Sequence, residues 1–185
     1  MADADREQLA ALLRRHSIRF GQFTLVSGQT SNVYVDAKLT TCRAAAMPLV
    51  GRLFLEKMRA RGWRPAAVGG LTLGADPIAM AIARESAGTD FEVDAFVVRK
   101  ESKKHGTMKF IEGLQSTEGV KVVIIDDVCT TGGSTITALE HARESGLDVL
   151  GAICLVDRQM GAAENLRAQN CTLDSIFTLA ELTGD

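Results

Sequence analysis

The sequence predicts an α/β protein in which a central, mostly parallel sheet is flanked by helices. Three observations carry that prediction. Strand-like and helix-like segments alternate along the chain. The strand candidates at 66–70, 93–98, 121–126 and 147–156 are apolar nearly throughout, as in strands covered on both faces. The helix candidates instead repeat apolar residues at three- and four-residue spacing.

Residues 5–15, DREQLAALLRR, put Leu9, Leu12 and Leu13 on one helical face. Short strands are expected at 23–26 and 33–37, around the turn-rich SGQTSN. Pro48 opens a helix to about Arg61, with Leu49, Leu53, Phe54 and Met58 on one face and Gly62 ending it. A short buried strand at 66–70 is followed by the loop LTLGAD and a helix over 77–86. After the strand at 93–98, residues 99–118 show no periodicity and concentrate Lys and Arg. A structureless segment that long is expected to be a functional, mobile lid. KVVIID, residues 121–126, is the strongest strand signal. It leads through DVCTTGG into a helix over 134–145, with Ser134 as N-cap. A strand at 147–156, a short helix near 161–168 and an apolar tail complete the chain.

The 185 residues fit one domain, 1–185, without repeat or linker. Apolar residues at 46% and charged residues at 24% exclude a disordered or coiled-coil chain. A net charge of −2 argues against a nucleic-acid binder. Cys42, Cys129, Cys154 and Cys171 form no C-x-x-C pair, so neither zinc nor a redox motif is expected, and reduced thiols point to the cytoplasm. MADADREQ has neither the cationic nor the apolar region of a signal peptide, and no apolar run reaches the ~18 residues of a membrane span.

The chemistry concentrates at VVIIDDVCTTGGST, residues 122–135. An apolar strand runs into two acids, Asp126 and Asp127. Val128 and Cys129 follow, then Thr130, Thr131, Gly132, Gly133 and Ser134, then a helix. Glycines let backbone N–H groups approach an anion closely, and a helix N-terminus adds unsatisfied donors and a favourable dipole. This is a site for one phosphate at the carboxyl end of a parallel strand. Adjacent carboxylates would repel a bare anion. They fit a ligand whose sugar hydroxyls they can accept while its phosphate sits one loop further on. Neither a G-K-[ST] nor a G-x-G-x-x-G motif is present. The stretch resembles the PRPP-binding motif of the type I phosphoribosyltransferases. The resemblance implies that Asp126 and Asp127 contact the ribose hydroxyls, that residues 130–134 hold the 5′-phosphate, and that Val128 and Cys129 belong to the same PRPP-binding stretch.

RKESKKHGTMK, residues 99–109, is the one dense basic run. Departing pyrophosphate carries several negative charges, and cations aimed at it in a water-poor site stabilise the transition state. The run resembles the flexible catalytic loop of the orotate phosphoribosyltransferases. That implies that Arg99, Lys100, Lys103, Lys104 and His105 bind the pyrophosphate end of PRPP, with Lys103, His105 and Asp127 as the catalytic set. It also implies that the loop serves the neighbouring subunit of a homodimer.

Two more segments agree. Residues 20–38, FGQFTLVSGQTSNVYVDAK, resemble the family's N-terminal hood over the base, so Tyr34 and Val35, with Thr130, are expected beside orotate. Residues 154–166, CLVDRQMGAAENL, resemble its D-R-Q-x-G element, so Arg158 is expected to pair with the orotate carboxylate. GGLTLGADP, residues 69–77, falls where the family places its pyrophosphate loop, so backbone N–H groups of Leu71, Thr72, Leu73 and Gly74 are expected on one phosphate.

The resemblance spans roughly residues 5–185. It implies the type I phosphoribosyltransferase fold, with a small hood from about 1–40 plus C-terminal residues, and magnesium carried by PRPP rather than by a protein cage. It departs at Val26 and Leu73, where many members carry a PRPP-binding lysine; Lys38 or backbone groups are the substitutes. A purine phosphoribosyltransferase would lack the RKESKKHG loop and the D-R-Q arginine. A nucleic-acid-binding regulator would bring an added domain or a basic face.

Overall fold

The computed structural model describes residues 2–24, 30–101 and 110–184. Helix α1 (Ala2–His16) begins with Asp3 and Asp5 and ends with Arg14, Arg15 and His16, charges that match the helix dipole. Its Leu9 and Leu13 are fully buried in the main core cluster. Arg6 pairs with Glu181 at 2.7 Å, and Arg14 Nε donates to the carbonyl of Leu182 at 2.9 Å, which ties the start of the chain to its end.

Strands β1 (Ile18–Thr24) and β2 (Thr30–Val35) form a separate antiparallel hairpin. Both lie earlier than the sequence suggests. Pairing starts at Ile18 against Val35, directly after α1, because Asp36 N closes on Ser17 O at 2.9 Å. Helix α2 (Lys38–Thr41) is one turn, too short to leave a periodic signal. Helix α3 (Met47–Ala60) carries Pro at its first turn and buries Leu49, Leu53, Phe54 and Met58, as its spacing predicts.

The remaining elements are β3 (Ala67–Leu71), α4 (Asp76–Ser86), β4 (Asp94–Val98), β5 (Ile111–Glu112), β6 (Lys121–Cys129), α5 (Gly133–Glu144), β7 (Asp148–Asp157), α6 (Ala162–Ala168), β8 (Leu173–Thr178) and α7 (Leu179–Thr183). The apolar tail is thus a strand and a helix, the latter started by a capping box of Thr178 and Glu181. The expectation of a structureless 99–118 is corrected at its second half. Ile111, fully buried, and Glu112 pair antiparallel with Val98 and Val97.

The six strands lie in the order β5-β4-β3-β6-β7-β8, parallel apart from β5. Apolar clusters cover both faces. The chain moves outward from β3 to β4, then returns to place β6 on the other side of β3. In such sheets ligands bind at the carboxyl ends of the strands, where the direction of winding reverses. The loops after β3 and β6 are the two that the sequence marks for phosphates.

Candidate active site

Strand β6 continues through both acids to Cys129 rather than ending at Asp126. Asp126 is 5% exposed. Its Oδ1 accepts the Asp127 amide at 2.9 Å, and its Oδ2 accepts the Thr135 hydroxyl at 2.6 Å. Burial, and next the charge of Asp127, push its pKa up to about 7, although the hydrogen bond from Thr135 opposes them. Asp127 lies nearer the surface. Its Oδ1 accepts the Val128 amide at 2.8 Å, and Lys38 Nζ stands 3.7 Å from its Oδ2. Lys38 also pairs with Asp36 at 2.9 Å, the main cause of its raised pKa.

The turn into α5 uses Gly132 at φ +82, where a side chain would be strained and would crowd Leu166. Gly132 is also the residue before the first helical position. The N-cap expected at Ser134 is therefore corrected: Ser134 is inside the helix, and no side chain caps it. Asn165 Nδ2 donates to the Thr131 carbonyl at 2.9 Å and holds the loop from α6. Val128 packs against the main core, and Cys129 is 1% exposed with its Sγ 3.2 Å from Thr135 Oγ1. The Cys129 side chain therefore faces inward, away from any ligand on the loop.

The loop after β3 is held by Thr72, whose amide donates to Val98 O at 2.9 Å and whose hydroxyl donates to Asp76 Oδ2 at 2.7 Å. Gly74 lies directly against the Asp127 carboxylate, and a Cβ there would come 2.5 Å from Oδ1. Leu73 is exposed. A cavity of about 280 Å³ opens between the two loops, lined by Lys38, residues 71–74, Lys100, Asp126, Asp127 and Ser134. Cations and carboxylates share its wall, an arrangement suited to a ligand with hydroxyls at one end and phosphates at the other.

Arg158 follows β7, and its amide donates to Cys129 O at 2.9 Å. Its Nη2 donates to Ser31 Oγ at 2.8 Å and to Val33 O at 3.2 Å on the hairpin. Its Nε is buried with no hydrogen-bond partner, and burial lowers its pKa. Among the described residues no carboxylate pairs with it, although Asp157 and Glu164 are close in sequence. Tyr34 is 42% exposed and lies tilted against Phe23, with ring centroids 5.4 Å apart. Val35 is 9% exposed. Neighbouring residues of a strand face opposite sides, so the pair expected beside one ligand is split.

Arg99 and Lys100 stand at the root of the basic loop. Arg99 Nη1 is 3.3 Å from Glu112 Oε1, and its backbone donates to Phe110 O at 2.8 Å. His141, from α5, stacks on Phe110 and lies 3.2 Å from Arg99 O. Lys103, Lys104, His105 and Val26 lie outside the described residues. Thr135 is the residue that sequence reasoning missed; a hydroxyl one step past the glycine loop was its signal.

The phosphoribosyl transferase domain profile matches residues 43–177. An orotate phosphoribosyltransferase of Mycobacterium leprae is 43% identical over 182 residues, 98% of this chain and 98% of that protein. The crystal structure of the Mycobacterium tuberculosis orotate phosphoribosyltransferase in complex with Fe(III) dicitrate superposes with a TM-score of 0.84 at 42% identity, covering 96% of this chain and 98% of the other. The structure of that M. tuberculosis enzyme in complex with 5-phospho-α-D-ribosyl 1-diphosphate superposes with a TM-score of 0.79 at 39% identity, covering 97% and 99%.

Proposed function

The chain belongs to the phosphoribosyl transferase family, and on that premise we propose that it transfers the 5-phosphoribosyl group of PRPP to orotate. The products are orotidine 5′-monophosphate and pyrophosphate, and the step is the pentosyl transfer of pyrimidine (UMP) biosynthesis. Residues 130–134 take the 5′-phosphate on the N-terminus of α5. Asp126 and Asp127 accept the ribose hydroxyls. The Thr72 amide expected on a phosphate is already given to Val98 O, so the backbone of residues 71, 73 and 74, with Lys38, Arg99 and Lys100, meets the pyrophosphate, joined by Lys103, Lys104 and His105. Lys38 is the cation that stands in for the lysine missing at Val26 and Leu73.

One observation favours orotate over an uncharged base. The guanidinium of Arg158 is half-buried, and among the described residues only neutral groups contact it. A desolvated cation without an anion is costly, and a ligand carboxylate relieves that cost. Tyr34 covers the base from the hairpin. No chain nucleophile is needed: positioning and electrostatics suffice.

Magnesium enters with the substrate, on PRPP oxygens. Among the described residues no group of three His, Cys, Asp or Glu is placed to cage an ion, and a substrate-borne ion needs none. The working unit is a homodimer that shares its sites through the basic loop. All four cysteines are free, which suits a reducing cytoplasm, and no described helix is long and apolar enough to cross a membrane. Neither nucleic acid nor membrane is a partner in this reading.

The deciding experiment offers orotate, uracil, adenine, hypoxanthine and xanthine separately with PRPP and magnesium. Pyrophosphate release with orotate alone is expected; turnover of a purine instead overturns the reading. Arg158→Ala is expected to lower kcat/KM for orotate by about 2–4 kcal/mol, with KM for PRPP nearly unchanged. An equal loss of PRPP affinity would make Arg158 a brace for the hairpin rather than a base contact.

A further inference from the structure

The paired acids and the phosphate loop account for residues 126–134 and leave the next residue without a role. Thr135 sits in the first turn of α5 and is 1% exposed. Its hydroxyl donates to Asp126 Oδ2 at 2.6 Å and lies 3.2 Å from Cys129 Sγ. The Cys129 Sγ also lies 4.0 Å from Asp126 Oδ2, so thiol and hydroxyl both border the same carboxylate oxygen. The bond with a fixed direction runs from the Thr135 hydroxyl to the carboxylate, which lines the cavity. The other Asp126 oxygen is held by the Asp127 amide. Both oxygens are therefore fixed from the protein side.

We propose that Thr135 is a positioning residue for the transfer: its hydroxyl holds the Asp126 carboxylate in the orientation that receives a ribose hydroxyl, and ties that carboxylate to the helix whose N-terminus takes the phosphate. The inference rests on the reading above, in which Asp126 binds ribose. The titratable and charged groups around Asp126 are Asp127 and Cys129 on β6, Cys154 on β7, Lys38 on α2 and Lys100 after β4. Lys38 is engaged by Asp36 and Asp127, so among the described residues no cation pairs with Asp126 itself. The Thr135 O–H first, and then the Asp127 amide, favour the ionised carboxylate against burial and the charge of Asp127. Loss of the O–H donor raises the pH at which Asp126 ionises.

The test compares Thr135→Val, which keeps the branched shape, with Thr135→Ser, which keeps the hydroxyl, and with Asp126→Asn. Calorimetry gives the affinity for magnesium–PRPP, and kcat/KM for PRPP is followed from about pH 6 to 9. Ionisation of PRPP itself is common to all variants and cancels. Thr135→Val is expected to weaken PRPP binding about tenfold at neutral pH. It should also move the acid limb of kcat/KM to higher pH, with KM for orotate little changed. Thr135→Ser should restore both. Unmoved affinity and an unmoved limb in Thr135→Val, while Asp126→Asn loses PRPP, would overturn the role of Thr135 and leave the site reading standing. Asp126→Asn binding PRPP like the parent would overturn both. Should the valine protein not fold, Thr135→Ala removes the same hydroxyl with a smaller side chain. A limb shifted the same way is then expected, and an unshifted one overturns the proposal.

Discussion

Asp127→Ala is expected to lower kcat/KM for PRPP by about a thousandfold while the protein stays folded. The carboxylate faces the cavity, and its bonds to the chain are the Val128 amide and Lys38. Both bonds are local to the rim of the cavity, and removing the carboxylate leaves the Val128 side chain in place, so the melting temperature should hold within a few degrees. Positive charge develops on the ribose ring as pyrophosphate departs. A fixed carboxylate beside the ring stabilises that charge far more in the transition state than in the ground state, so its loss appears in kcat as well as in binding. Steady-state kinetics with a parallel melting curve decides this; a loss under about tenfold would place Asp127 away from the ribose.

The same variant tests the shared site. Lys103→Ala is also expected to be nearly inactive. Refolding the two inactive proteins together makes about half the dimers mixed, and in each of these one site carries both changes and the other neither. About a quarter of the parent activity should return. Activity no higher than the sum of the parents, with exchange confirmed by mass, would show that Lys103 works in its own subunit or that the protein is not this dimer.

Gly70→Ala is expected to give the largest loss of stability. Gly70 lies mid-sheet in β3, paired with Val97 of β4. A Cβ there would overlap the carbonyl oxygen of Ile125 on β6 and come 2.8 Å from Ala75 Cβ. The obstruction is mainly backbone, so no rotamer change relieves it, and the strands must separate. Overpacking of this kind costs about 3 kcal/mol, or a melting temperature lower by roughly 6–12 °C for a chain of this size. Gly133→Ala is the control. A Cβ there meets nothing within 4 Å, so that protein should melt like the parent. Equal melting of the Gly70 variant and the parent would show that β3 is free to shift away from β6.

The two glycines also mark the line between sequence and structure. GGLTLGADP was readable as a strand and a phosphate loop, and VVIIDDVCTTGGST as a strand, two acids and an anion-binding helix start, because their signals are local. Apolar runs, turn glycines and helix caps depend on a few neighbouring residues, and so the order and kind of most elements could be read from the chain. Boundaries slipped where pairing with a distant segment sets them. The first hairpin starts at Ile18 because Val35 faces it, and Ile111 becomes a strand because Val98 is there.

By itself the sequence determined the alternating α/β plan, the paired acids, the glycine loop and the arginine after the seventh strand. Only the tertiary structure decided that β3 lies beside β6, which brings the two loops to one cavity. It also decided that Lys38 reaches Asp127, that Arg158 bonds to Ser31 across 127 positions of chain, and that Thr135 turns back onto Asp126. Strand order and the packing of helices on the sheet are collective. They follow from which apolar faces can be buried together, and no short stretch of residues contains that information.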